Sequence, residues 1–138
     1  MIILDTNVVS EPSKLRANPN VLAWFDRQTQ SSLFLTAISL AELKAGIAFL
    51  PQGKRKENLQ HILDDALANF VTPILSFDRE AATAYALVVA RARLRSYTLP
   101  VADAQIAAIA KVHGFAMATR DVRPFVAAGV DVVNPWDD

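Results

Sequence analysis

The apolar run Met1-Ile2-Ile3-Leu4 stops abruptly on three polar residues, Asp5-Thr6-Asn7. A strand with one face in water alternates apolar and polar residues. A strand without alternation needs cover on both faces, the condition of a central strand in a parallel sheet. Asp5 then stands at the carboxyl end of that strand. In open α/β sheets this is the edge where ligands bind, so other acids reaching the same edge become candidates for a site.

The rest of the chain repeats the alternation of short apolar runs with helical stretches. Asn18-Pro19 starts a short helix with Val21, Leu22 and Phe25 on one stripe. A strand near Ser32 to Thr36 is followed by Leu40, Leu43, Ile47 and Leu50 at helical spacing, up to the stop at Pro51 and Gly53. Leu59, Ile62, Leu63, Ala66, Leu67 and Phe70 mark a further amphipathic helix, and "TPIL" reads as a short edge strand. Asp78 caps an alanine-rich helix running to about Arg95, and "SYTLP" ends it. A helix over about Ala102 to His113 closes on Gly114, then "FAMAT" reads as a buried strand. A turn of helix from about Arg123 to Ala128, Gly129 and the strand "VDVV" complete the order. Strands alternating with helices predict an α/β fold, a parallel sheet of 4–5 strands covered on both faces, with residues 1–138 as one domain.

The 138 residues contain no cysteine, which excludes a disulfide framework, a thiolate zinc site and a cysteine nucleophile. No secretory signal and no membrane span is legible, so a cytoplasmic location and no membrane partner are expected. Lys+Arg and Asp+Glu balance at 14 each. If several acids gather around a metal, the remaining surface is locally basic. The bases cluster as Lys54-Arg55-Lys56, as Arg91, Arg93 and Arg95, and as Arg120 with Arg123. Solvated helix faces are the more ordinary account of any one such cluster, so the bases permit a nucleic-acid partner without indicating one.

Four acids compete between capping and chemistry. Asp5 is placed to cap the helix that follows it, and Asp103 suits the first turn of its own helix. Ser39-Leu40-Ala41-Glu42 has the spacing of a capping box, and Asp121 lies in a polar strand-to-helix turn. Yet strand ends and the starts of the helices that leave them share one edge, so Asp5, Glu42 and Asp121 should approach one another. Asp103 begins a helix that leads into a strand, which topology alone would put at the opposite edge unless "SYTLP" crosses over first. Carboxylates brought together need a compensating cation. All-oxygen ligation points to a hard ion, Mg²⁺ or Mn²⁺, able to activate water and neutralise phosphoryl charge.

"MIILDTNVVSEP", "SLAEL", "LPVADAQIAAIAKVHGF" and "MATRDVRPF", in this order, resemble the PIN-domain family. The SEP after DTNVV and the terminal NPW resemble its FitB-like branch of VapC toxins. The likeness covers essentially the whole chain. It implies a Rossmann-like parallel sheet, a Mg²⁺- or Mn²⁺-dependent ribonuclease acting on RNA, usually a homodimer, and a VapB/FitA-like antitoxin through which alone operator DNA is reached. It also implies that Asp5, Glu42, Asp103 and Asp121 form the metal site. Thr6, Asn7 and Thr119 match the polar residues beside the first and last acids, where they would orient waters or carboxylates, although turn chemistry explains them too. Arg120 suits a substrate phosphate, with a surface ion pair as the alternative.

Two other functions remain open to the sequence. A haloacid-dehalogenase-like phosphatase also places Asp-Thr after its first strand, but it wants a second acid where this chain has Asn7. A non-catalytic partner of a DNA-binding regulator would use the stripe Leu43, Ile47 and Leu50 as an interface and leave the acids as caps.

Overall fold

The computed structural model describes all residues, 1–138. Its core is a four-stranded, wholly parallel sheet in the order β2-β1-β3-β4. The strands are β1 (Ile2–Leu4), β2 (Leu33–Phe34), β3 (Ala116–Ala118) and β4 (Val132–Val133). The helices are α1 (Thr6–Ser10), α2 (Pro19–Asp26), α3 (Ala37–Ala48), α4 (Lys54–Asn69), α5 (Arg79–Leu94), α6 (Val101–His113) and α7 (Arg123–Ala127). "TPIL" contributes less than a strand: Leu75 makes a single parallel bridge to Thr36.

Successive strand residues point to opposite faces, and two apolar clusters result. Ile3, Phe34 and Met117 join Val88 of α5, Ile106 and Ile109 of α6, and Phe125 of α7. Leu4 and Ala118 join Val8 and Trp24 on the other face, with Phe70 and Trp136 packed against them. Both faces are therefore covered, which is why the short strands carry no alternation. None of the helices is long and apolar enough to cross a membrane.

Turn chemistry follows the sequence closely at three points. The Asn18 side chain accepts from the Asn20 amide and caps α2, and Asp78 accepts from the Ala81 amide at 3.0 Å to cap α5. Gly114 closes α6 at φ 67°, a left-handed conformation that an L side chain resists. The stripe of α2 differs from expectation. Trp24 rather than Leu22 is buried beside Val21, and Leu22 is exposed. On α5, Val88 carries the packing while Leu87 faces outward.

The capping box at Ser39 and Glu42 is not formed. Thr36 is the N-cap of α3, its hydroxyl accepting from the Ser39 amide at 3.1 Å. The helix thus begins three residues earlier than the box requires. Glu42 lies in the second turn, beyond reach of the cap amide, and its carboxylate is free of that duty.

Candidate active site

Parallel strands end on one edge, and three chain segments leave it with polar residues. Asp5 continues β1, its amide donating to the Ala118 carbonyl at 2.9 Å. Thr119 continues β3, its amide donating to the Val133 carbonyl at 3.0 Å. Thr36 starts α3 after β2 and so brings Glu42 to the same end. Asp103 reaches it as well, against the topological expectation. The helix before a parallel strand runs antiparallel to that strand. α6 delivers the chain to the start of β3, where the Ala116 amide meets the Met1 carbonyl, so α6 itself begins at the carboxyl edge. No crossover by "SYTLP" is needed.

Asp5 is the anchored member, 8% exposed. Its Oδ1 accepts from the Thr6 amide at 2.9 Å and caps α1, so the capping role expected for it is real. Its Oδ2 accepts from the buried Thr119 hydroxyl at 2.7 Å. That hydroxyl in turn accepts from the Asp121 amide at 3.1 Å. Thr119 therefore ties the first acid to the last. Each Asp5 oxygen keeps a lone pair for a further partner. Asp121 caps nothing: α7 has Val122 as its N-cap, without a side-chain bond.

Two of the four carboxyls are perturbed by their neighbours. Burial, then the charges of Asp5 and Asp103, raise the Glu42 carboxyl above its ordinary value. Burial, then Asp5 and Asp121, raise that of Asp103. Proximity of like charges disfavours ionisation, and a hard divalent cation relieves it. As placed, no three of the acids converge to metal-holding distance. The donor set, four carboxylates and no sulfur or imidazole, fits Mg²⁺ or Mn²⁺.

The flanking residues divide. Thr6 contributes its amide to Asp5, and no side-chain bond. The Asn7 amide oxygen accepts from the Arg120 amide at 3.4 Å, linking the two polar turns. The Arg120 guanidinium makes no ion pair and lies over the Trp136 ring, 5.4 Å from its centroid. Glu11 of the SEP segment was not singled out from the sequence as a structural acid, yet it is 4% exposed. Its Oε1 accepts from the Asn18 amide at 2.9 Å and its Oε2 faces Lys14 Nζ at 2.7 Å. Bonding to Lys14, then to the Asn18 amide, holds this carboxyl below its ordinary value against the effect of burial. Lys14 three residues after Glu11 was the available signal.

Beside Glu42 runs an apolar groove of about 330 Å³ between α1, α3 and α4. Val9, Leu43, Ile47, Leu50, Leu59 and Leu63 line it, with Glu42 and Arg55 as its charged members. The stripe Leu43, Ile47 and Leu50 is only half-buried, and Phe49 points away, 85% exposed.

The PIN domain sequence profile matches residues 2–130. Plasmid stability protein StbB of Pseudomonas syringae pv. tomato is 48% identical over 99% of each chain. VapC ribonuclease Y4jK of Sinorhizobium fredii is 45% identical, again over 99% of each. Among solved structures, FitAcB from Neisseria gonorrhoeae superposes with a TM-score of 0.93 at 43% identity, covering 99% of both chains. FitAB bound to an IR36 DNA fragment gives 0.93 at 42% identity, over 99% of this chain and 96% of that one.

Proposed function

Because the chain belongs to the PIN domain family, we propose that it is the toxin of a toxin–antitoxin pair and acts as a Mg²⁺- or Mn²⁺-dependent endoribonuclease. The observation that carries the reading is the Thr119 hydroxyl bridging Asp5 and Asp121 at the carboxyl edge of the sheet, where α3 and α6, the helices of Glu42 and Asp103, begin. These four would hold the cation. A divalent ion bound there supplies Lewis acidity toward a phosphodiester and an activated water.

The chain's own residues do the rest. Thr119 and the Thr6 amide fix the Asp5 carboxylate, so Asp5 itself would need little reorganisation to accept a cation. Glu42 and Asp103, both raised by burial and neighbouring carboxylates, would be held ionised by a cation among them. Arg120 offers a planar fork to a backbone phosphate next to Asp121. Hydrolysis of the P–O bond gives one product with a phosphate and one with a hydroxyl.

The partner reading rests on the groove. The solved FitAB and FitAcB structures are of complexes, and a related antitoxin would lay an apolar segment along Leu43 and Ile47. A basic side chain carried to Glu42 would offset the acids as a cation does. Operator DNA would be met through that partner.

The test is cleavage of single-stranded RNA by partner-free protein in Mg²⁺ or Mn²⁺, alongside EDTA and Asp5→Asn. Metal-dependent cleavage abolished by both is expected. Equal cleavage in EDTA, or by folded Asp5→Asn, would overturn the metal mechanism.

A further inference from the structure

Two cation–aromatic pairs draw their cations from one five-residue segment, Thr119-Arg120-Asp121-Val122-Arg123. Arg120 lies over Trp136, and Arg123 lies over Tyr97 with its guanidinium carbon 5.7 Å from the ring centroid. Asp121 is between them in sequence. The two aromatic rings come from remote parts of the chain. Trp136 packs against the cluster of Leu4, Val8, Trp24 and Ala118. Tyr97 faces α7, whose Phe125 belongs to the other cluster.

Both rings are held in place by local structure. Ser96 is the single non-glycine residue at positive φ, 58°, a conformation that costs free energy. It turns the chain after α5 so that the Tyr97 amide returns to the Ala92 carbonyl at 3.0 Å. Arg95 donates to the Val126 carbonyl at 3.1 Å and joins Arg123 and Tyr97 around one surface hollow of about 400 Å³. Arg95 and Arg123, from two basic clusters far apart in sequence, thus share one surface. At the other side, the Trp136 carbonyl accepts from the Asn20 side chain at 2.9 Å, fixing the tail to α2.

Resting on the ribonuclease reading above, we infer that Arg120–Trp136 and Arg123–Tyr97 are the binding platforms for the unpaired nucleotides on either side of the phosphate presented to the acids. A guanidinium over a ring presents an outer plane on which a base stacks and an N–H fork for a phosphate. Unpaired bases have free faces for such stacking, and duplex bases do not. The platforms therefore select single-stranded RNA and act in binding rather than in bond cleavage.

The experiment uses the full chain and a short fluorescent oligoribonucleotide, single-stranded or annealed to its complement. Tyr97→Leu and Trp136→Leu should each raise KM by at least about fivefold with kcat nearly held, the loss of roughly one stacked base. Binding of the same strand to cleavage-deficient Asp5→Asn protein should quench tryptophan emission. Trp24 is 2% exposed, so Trp136 is the accessible reporter even if its replacement disturbs folding. The annealed form should bind more weakly and quench little. RNA cleavage with parental KM in folded Tyr97→Leu, absence of quenching on binding, or equal affinity for the duplex would each overturn the platforms while leaving the ribonuclease reading intact. Quenching and tight binding with no cleavage by the parent protein would instead support the platforms and sink the ribonuclease.

Discussion

The buried hydroxyl of Thr119 donates to Asp5 Oδ2 at 2.7 Å and accepts from the Asp121 amide at 3.1 Å, so one side chain joins acids from two strand ends. Thr119→Val keeps the shape and removes both bonds. It leaves a buried carboxylate oxygen and an amide without that partner, and stability should fall by about 1–3 kcal/mol. Mn²⁺ affinity should fall as well, because Asp5 loses its fixed orientation. Thr119→Ser should restore most of both. Denaturant melts and Mn²⁺ titration of the two variants give the check, and an unchanged Thr119→Val would mean the bond is incidental.

Opposite pKa directions give opposite pH effects. Glu42 and Asp103 are raised, so in metal-free protein they contribute stability that is fully present below the ordinary carboxylate range and lost as pH rises through their folded values. Glu11 is lowered, so its contribution is present above that range and lost as pH falls through its folded value. Glu42→Gln with Asp103→Asn should flatten the loss on the rising side in EDTA. Divalent binding shows the reverse trend: affinity should weaken with falling pH, starting above where an ordinary carboxylate titrates. Melts across pH with EDTA or Mn²⁺ report both.

How much of this was legible in the sequence differs by residue. The unalternating runs at Ile2–Leu4 and Ala116–Ala118 specified buried parallel strands because only two-sided cover suits them. Asp5 was legible because it directly follows such a run, and Asp121 because it lies in the polar turn three residues after one. Asp103 is harder to place from the sequence, because its edge depends on α6 running antiparallel to β3 and so starting at the carboxyl edge. Glu42 carried a false cap signal: Ser39 has the right spacing, but Thr36, at the true strand end, outcompetes it for the Ser39 amide. Contacts such as Arg123 with Tyr97 depend on the turn at Ser96, which no periodicity announces.

The displaced cap is itself testable. Thr36→Ala should cost about 1–2 kcal/mol, because a buried N-cap is lost from α3. Glu42→Gln should cost nothing in metal-free protein and should raise the melting temperature if it moves at all, since repulsion with Asp5 and Asp103 is relieved. In Mn²⁺ the order should invert: Glu42→Gln loses affinity and RNA cleavage, while folded Thr36→Ala retains them. A Glu42→Gln protein that is destabilised without metal would return Glu42 to a structural role.

The groove separates partner from chemistry. Ile47 lines it from α3, half-buried, and is absent from the acid edge. Ile47→Arg places a charge where an apolar partner segment would lie, and burial of an unpaired charge is strongly unfavourable. The long side chain can still reach solvent from this open groove, so folding should survive. Induced alone, both parent and Ile47→Arg should arrest growth if the toxin reading holds. Co-expression of the small protein encoded beside the gene should rescue the parent and fail to rescue the variant. The purified variant should cut RNA at the parental rate and show loss of partner binding by calorimetry. Full rescue of Ile47→Arg, with partner affinity unchanged, would place the antitoxin elsewhere. Growth unaffected by soluble parent protein would count against the toxin itself.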